Sequence, residues 1–213
     1  MASDKKIEMV EKTYELLKTT SPEDIKARTV AEVCNCTATV IYRYFENLDH
    51  LVLFASIKYL EDYIIALQDV VSEESDPLEM EEVMWDKFTE CVFTNVPVFE
   101  MLFWGRGHDE LGDVMFEYYQ LFPDRLSSYG GLFTTLFFNS SLEQRTEIIL
   151  RRAAVAGYFS INDVPILSDL KCLMFHGLIM RYRATYRDPA VAAEGIALCE
   201  QLLRSLDDHY RLK

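Results

Sequence analysis

The stretch Ile25–Leu51, IKARTVAEVCNCTATVIYRYFENLDHL, has the spacing that decides how this chain folds. Apolar residues at Val30 and Val33 predict a short helix, and Thr37 is a residue type that caps the start of the next one. Asn35 lies where the first helix must end, and asparagine adopts a left-handed backbone at low cost. The stretch therefore predicts two short helices joined by a tight turn.

The second of these helices has two chemically different faces. Ile41 and Phe45 are spaced to face a core together. The opposite face carries small, hydroxylated and cationic side chains, namely Ala38, Thr39, Tyr42 and Arg43. Small and hydroxylated side chains fit base edges in a major groove, whereas Tyr and Arg reach phosphates. The pattern is typical of a helix-turn-helix, but such helices also occur in all-α proteins that never contact nucleic acid.

The N-terminal fifty residues resemble the DNA-binding domain of the TetR/AcrR family of bacterial transcriptional regulators. The family pattern has an Arg-x-hydrophobic-Ala step, a turn and a Tyr-x-x-Phe step, matched here by RTVA and YRYF. The matching positions are Leu16, Leu17, Ile25, Arg28, Val30, Ala31, Val33, Thr37, Ile41, Tyr42, Phe45, Asn47 and Leu51. The resemblance implies an all-α homodimer that binds operator DNA and holds a small effector in a cavity.

A set of residues in this stretch is predicted to contact DNA: Lys26, Arg28, Thr37, Ala38, Thr39, Tyr42, Arg43 and Tyr44. The chain departs from the family pattern at five places: Ser21, Asn35 and Thr39 stand for Gly, Lys26 for Thr, and Leu48 for Lys. The family lysine resembles a phosphate clamp, so Leu48 predicts weaker binding with a salt slope lower by about one unit. Lys26 is placed to compensate in part. Thr39 adds a side chain on the face toward the groove, which predicts an operator unlike those of close family patterns.

The charge of the chain excludes a protein that coats nucleic acid over its whole surface. The formal net charge is −14, with seven Lys or Arg against nine Asp or Glu in residues 1–50 and fourteen against twenty-six in residues 51–213. Non-specific affinity for DNA should therefore be weak. Useful affinity should come from a dimer that binds two half-sites.

The five cysteines predict a reducing compartment. They are Cys34, Cys36, Cys91, Cys172 and Cys199, an odd set in apolar surroundings, and the start MASDKK lacks the apolar region of a signal peptide. The Cys-x-Cys pair has no second Cys or His pair at zinc spacing, which favours ordinary thiols over a metal or redox sensor. Since no run of eighteen apolar residues occurs, we expect a cytoplasmic protein without a membrane span, cofactor or metal.

Helical periodicity continues through the rest of the chain and predicts an all-α fold. A three-helix DNA-binding domain at 1–50 should lead, through a long helix at about 49–71, into a helical effector-binding and dimerisation domain at 51–213. Asp76 and Ser141 should cap two of the later helices. The last two long helices are apolar on more than one face, which predicts that a second copy covers them. Covering within a monomer is the alternative.

Aromatic residues and methionines are concentrated between Trp85 and Tyr182. Most of them should be core, but such side chains also line apolar ligand cavities. The residues selected for a cavity that binds a lipophilic effector are Trp104, Tyr118, Phe122, Phe137 and His176.

Catalysis has little support in the sequence. His108, Asp109 and Glu110 are adjacent and would point to different faces of a helix, and His176 lies in an apolar stretch typical of a core or interface histidine. No phosphate loop or nucleophile elbow occurs. The chain is therefore predicted to be a regulator, most simply a repressor, and not an enzyme. The alternative is a helical ligand-binding or interaction protein that has lost specific DNA binding.

Overall fold

The computed structural model describes residues 2–72, 75–105, 111–126, 134–136, 139 and 141–212. The fold is all-α, as predicted: the described residues form eleven α-helices and one 3-10 turn, with a single isolated bridge between Phe159 and Arg211. The elements are α1 Ala2–Leu17, the 3-10 turn Pro22–Asp24, α2 Ala27–Val33, α3 Ala38–Ile41, α4 Leu48–Gln68, α5 Pro77–Val92, α6 Val96–Trp104, α7 Leu111–Leu121, α8 Pro123–Leu126, α9 Leu142–Val155, α10 Val164–Tyr182 and α11 Pro189–Tyr210.

Side-chain caps define several helix starts. Asp76 accepts hydrogen bonds from the backbone N–H groups of Leu78 and Glu79, and Ser141 accepts one from Gln144. Both caps confirm the sequence prediction, because a short polar side chain satisfies N–H groups that have no partner within the helix. At the far end of α9, Gly157 has a φ of 93°, a left-handed conformation in which glycine ends a helix at little cost.

Contacts divide the chain into two compact units. The first contains Met1–Glu61 with Pro97–Thr134, and the second contains Asp62–Val96 with Thr135–Lys213. Helix α4 is continuous across this division. This grouping describes packing, and the functional division at residue 50 stays a prediction.

The core of the first unit includes the apolar side of the predicted helix-turn-helix. Ile41 and Phe45 are buried, and the Phe45 ring packs edge-on against Phe54 of α4 with centroids 5.6 Å apart. The ammonium group of Lys6 on α1 lies 4.6 Å from the Phe54 ring centroid. A cation over an aromatic face is attractive, and this contact joins α1 to the same cluster.

The second unit is built on α5, α9, α10 and α11. Helix α9 packs against α5 and α10, and α11 packs against α10 and α5. Phe175 lies between Trp85 and Phe88, with both ring centroids 5.3 Å from its own. At Gly195 a Cβ atom would lie 2.5 Å from the Phe93 ring, so a larger residue would require that ring to move.

In the part of the chain that the structure describes, we find no helix that combines the length and the apolar composition needed to cross a membrane.

Candidate functional site

The turn between α2 and α3 is a Schellman motif centred on Asn35. The N–H of Cys36 donates to the carbonyl oxygen of Ala31 at 2.9 Å, and the N–H of Asn35 donates to that of Glu32 at 3.2 Å. Asn35 has a φ of 50°, and no other non-glycine residue has a positive φ among the described residues. The left-handed backbone predicted for this asparagine is confirmed. The motif reverses the chain within a few residues, so α3 starts close to the end of α2.

Helix α3 is shorter than the sequence pattern suggested. It begins after Thr37, which has the extended backbone of a cap but makes no side-chain cap hydrogen bond. Beyond Ile41 the chain continues in turns, in which the N–H of Tyr44 and the N–H of Phe45 both donate to the Ile41 carbonyl oxygen, at 3.0 and 3.1 Å. The apolar side chains at 41 and 45 therefore share one buried side although only the first lies in regular helix.

The residues predicted to contact DNA form an accessible surface around α2 and α3. Exposed members are Lys26, Arg28, Thr37, Thr39, Tyr42 and Arg43, and half-buried members are Ala38 and Tyr44. Tyr42 is 53% exposed, so its side chain is accessible to a partner outside the chain. The Arg28 Nε donates to the Glu32 carboxylate at 2.8 Å, but both side chains are solvated. An exposed ion pair of this kind is worth little and can exchange for another anion.

A lysine of α1 holds the end of α2, which sequence reasoning did not predict. The Nζ atom of Lys5 donates to the carbonyl oxygen of Cys34 at 2.7 Å and to the carboxylate of Glu8 at 2.8 Å. Cys34 occupies the C-cap of α2, where carbonyl groups lack partners within the helix. The cation satisfies such a group, and the contact fixes the turn against α1.

The start of α4 lies directly after this surface. The side-chain oxygen of Asn47 accepts a hydrogen bond from the N–H of His50 at 2.8 Å, which makes Asn47 a cap. Leu48 is the first helical residue and is half-buried. The position at which the resemblance predicts a cation is therefore held by an apolar side chain at a helix start.

The residues selected for ligand binding are dispersed. Tyr118 is fully buried in the first unit, where its hydroxyl group donates to Glu61 at 2.8 Å and accepts from Arg125 at 2.6 Å. Phe122 packs on Tyr118 with ring centroids 4.7 Å apart. Burial raises the pKa of the Glu61 carboxyl group, although Arg125 opposes the shift. This network is a packed interior of charged and aromatic groups.

Two of the remaining choices lie on other helices. Trp104 is the last residue of α6, and its ring centroid lies 5.9 Å from that of Phe103. His176 is half-buried on α10, and Phe137 lies outside the described residues, as do His108, Asp109 and Glu110.

A cavity lies in the second unit. Its walls are mainly apolar and aromatic, and it is lined by Tyr63, Ile64, Glu81, Met84, Trp85, Phe88, Leu136, Leu142, Arg145, Thr146 and Ile149. Trp85 and Phe88 belong to the aromatic-rich region predicted to hold a ligand, but none of the four described ligand choices lies on this cavity.

A buried cluster of Glu81, Lys171 and Asp207 adjoins this cavity through Glu81. The Nζ atom of Lys171 lies 2.5 Å from a carboxylate oxygen of each acid. Burial raises the pKa of Asp207 to about 7, and the negative charge of Glu81 adds to the shift. Sequence reasoning missed the cluster because its members are far apart along the chain. The one available signal was Lys171, a lone lysine within the apolar run of α10.

The cysteines show no metal-binding arrangement. No group of three or more His, Cys, Asp or Glu side chains within the described ranges is placed to hold a metal ion. Burial raises the pKa of Cys34 and Cys199 to about 11 and that of Cys91 and Cys172 to about 12. These four thiols are protonated at neutral pH.

Two solved structures resemble the whole chain. One is a protein from Mesorhizobium loti assigned to the TetR family of transcriptional regulators, with a TM-score of 0.58 and 9% identity over 100% of this chain and 99% of that chain. The other is a protein from Shewanella sp. PV-4 with the same assignment, a TM-score of 0.50 and 11% identity over 98% of this chain and 99% of that chain. No protein-family model and no curated protein matches the sequence. This chain has the fold of TetR-family transcriptional regulators.

Proposed function

We propose that this protein is a TetR-type, DNA-binding transcriptional repressor. The observation that carries the proposal is the turn at Asn35, which presents an exposed polar surface on α3 within a fold shared with two proteins assigned as regulators. In this proposal α3 enters the major groove, Thr39 faces base edges, and Tyr42 and Arg43 contact phosphates. A DNA-binding role implies a cytoplasmic protein without a catalytic function.

In this proposal, binding to DNA depends on the fit between two reading helices and two half-sites more than on charge. The net charge of −14 disfavours long-range attraction to DNA, and Leu48 removes one cation from the surface. A single copy would then bind weakly. Two copies that hold adjacent half-sites gain specificity and affinity together, which is the usual strategy of helix-turn-helix proteins.

The surface of α10 supports dimerisation. Ile166, Leu173 and Met180 are spaced by seven residues, and all three are exposed, Leu173 by 70%. Gly177 lies between the last two, and a Cβ atom built on it meets no other atom within 4 Å. An apolar stripe of this spacing, with a small residue that permits close approach, is suited to pack against its own copy around a twofold axis.

The cavity of the second unit is the proposed effector site. Helix α4 contributes Tyr63 and Ile64 to its wall, and the same helix begins at Leu48 beside the predicted DNA-contact surface. An effector that prefers a conformation whose two reading helices misfit the operator would release DNA. Coupling of this kind is typically worth about 1 to 3 kcal/mol.

The proposal is tested by selecting binding sites from random duplex DNA with the full chain and measuring affinity by fluorescence anisotropy at low salt. Selected sites should contain two related half-sites. Tyr42→Phe and Arg28→Ala should weaken binding by about tenfold, because each loses a contact to the backbone of DNA. The control is Arg151→Ala, since Arg151 pairs with Glu147 at 2.9 Å as Arg28 does with Glu32, but on α9.

A different result would change the assignment. If no sequence is enriched, the acidic charge and Leu48 favour the alternative of a helical ligand-binding or interaction protein that has lost specific DNA binding. If sites are enriched but neither variant at 28 or 42 binds them more weakly, the placement of the reading helices is wrong.

A further inference from the structure

One wall of the cavity carries a buried hydrogen-bond acceptor that has no partner among the described residues. Glu81 is 1% exposed and lines the cavity, and its Oε2 atom makes no hydrogen bond to any residue that the structure describes. Leaving a buried polar atom without a partner is costly, and for a charged group the cost is larger. A site with this feature is complementary to a ligand that donates a hydrogen bond at that point.

The other groups around Glu81 indicate which charge that donor should carry. The Oε1 atom of Glu81 lies 2.5 Å from Lys171 Nζ, and Asp207 lies 2.5 Å from the same ammonium group. Two carboxylates therefore share Lys171. Arg204 also faces Asp207 but is paired with Asp86 at 2.5 Å, so the cluster has excess negative charge when both carboxylates are ionised. Burial raises the pKa of Asp207 to about 7, and the negative charge of Glu81 adds to the shift. A second cation beside Glu81 would offset the excess.

The rest of the lining suits an apolar body with an aromatic or aliphatic ring. Trp85 and Phe88 lie on the cavity with ring centroids 5.9 Å apart, and Met84 and Ile149 contribute aliphatic surface. Aromatic faces also attract cations. Arg145 lies on the same cavity, but its Nε donates to the carbonyl oxygen of Asn139 at 2.6 Å. An anion bound at Arg145 would lie in the same apolar cavity as the Glu81 carboxylate, which would repel it.

We propose that this cavity binds a compact organic amine in its protonated form, with the ammonium group donating to Glu81 Oε2 and the apolar body packed against Trp85 and Phe88. The inference rests on the proposed function only in taking the cavity as the effector site. The new element is the chemical class of the effector, a lipophilic cation, which the apolar lining alone does not specify.

The test compares three probes with one apolar body on the full-length protein without DNA: phenylbutylamine, phenylbutanol and phenylbutyrate. Isothermal titration calorimetry near neutral pH should show the amine binding at least about tenfold more tightly than the alcohol, because hydrogen bonds to charged groups are worth more than neutral ones. Glu81→Gln should abolish this preference. Glu79→Gln makes the same charge change two residues away at an exposed position of α5 and should preserve it.

A second measurement places the binding without substituting Glu81. Trp104→Phe leaves Trp85 as the only tryptophan, so the amine should quench the remaining fluorescence with the calorimetric dissociation constant. The inference is overturned if the alcohol binds as tightly as the amine, if phenylbutyrate binds best, if no probe binds, or if Trp85 does not respond. The inference is also overturned if the Glu81→Gln variant folds and keeps the preference for the amine.

Failure of the proposed function gives a different pattern. Amine binding that depends on Glu81, without release of a selected DNA site, supports the ligand class and contradicts the effector role. Release of DNA by phenylbutyrate, with no response to the amine, keeps the repressor assignment and rejects the ligand class.

Discussion

At the scale of single residues, the most informative position is Asn35. Its backbone is in the left-handed region, where a side chain with a Cβ atom normally costs about 1 to 2 kcal/mol and asparagine costs less. Both hydrogen bonds of the Schellman motif depend on this conformation. The relative placement of α2 and α3 therefore rests on one residue.

Asn35→Ala should lower the free energy of unfolding by about 1 kcal/mol, because alanine pays the full cost of the left-handed backbone. Asn35→Gly should be as stable as the natural protein or slightly more so. Urea denaturation followed by circular dichroism measures both variants. Equal stability of the alanine and glycine variants would show that backbone strain at this turn is unimportant.

A second residue with a testable role is Asp207. It faces Lys171 on α10, Glu81 on α5 and Arg204 on its own helix. Its pKa is raised in the folded state, so folding favours the protonated form. The stability that this group contributes is complete at pH below its unfolded pKa, and it is lost as the pH rises through about 7.

Asp207→Asn should therefore gain stability relative to the natural protein as the pH rises. At about pH 4 the two proteins should be similar, and at about pH 8 the variant should be more stable by roughly 1 kcal/mol or more. Thermal unfolding at both pH values measures this difference. Asp208→Asn, at the exposed neighbouring position, is the control and should show no such trend.

These two residues differ in how far the sequence predicts them. Asn35 was predictable because the preference of asparagine for a left-handed backbone is local. The Glu81–Lys171 contact joins residues 90 positions apart, and no local pattern specifies such a partner. For the same reason the cavity walls were not predicted, since they depend on which faces of α4, α5 and α9 meet.

At the scale of elements, local chemistry predicted where helices begin better than where they end. Asp76 and Ser141 act as the predicted caps because a short polar side chain determines a start by itself. The connector helix was expected to reach Val71 but ends at Gln68, and α10 ends at Tyr182 although apolar spacing continues beyond it. Helix ends depend more on tertiary contacts.

Leu48, at the start of α4, is the departure from the family pattern with the clearest functional consequence. Leu48→Lys should restore a cation at the first position of this helix and increase DNA affinity, with a salt slope steeper by about one unit. Anisotropy titrations over a series of salt concentrations measure the slope.

Ile65→Lys is a matched control on the same helix. Ile65 is 53% exposed and lies far along α4 from its start, so the substitution adds the same charge away from the predicted DNA surface. If both variants steepen the slope equally, the effect is due to net charge and Leu48 is not at a phosphate.

At the scale of the whole molecule, the proposed function requires two copies. Leu173→Glu places a charge in the centre of the exposed apolar stripe of α10 and should convert the dimer into a monomer of 24.8 kDa at micromolar concentration. Operator affinity should fall with it. Light scattering coupled to size exclusion measures the mass.

Val155→Glu provides the comparison, because Val155 is an apolar residue on α9 that is 85% exposed and lies outside the stripe. This variant should remain dimeric. If the Leu173→Glu variant stays dimeric, the interface lies elsewhere. If the natural protein is a monomer, the proposed interface does not form.

The burial of the cysteines has a practical consequence. Thiol-reactive dyes attack the thiolate, and four of the five thiols have pKa values raised to about 11 or 12. The fifth, Cys36, is half-buried, as Cys91 is, and directly follows Asn35 in the turn. Brief maleimide labelling of the unmodified protein at neutral pH should therefore attach one fluorophore at the base of α3, beside the predicted DNA surface, without any engineered cysteine.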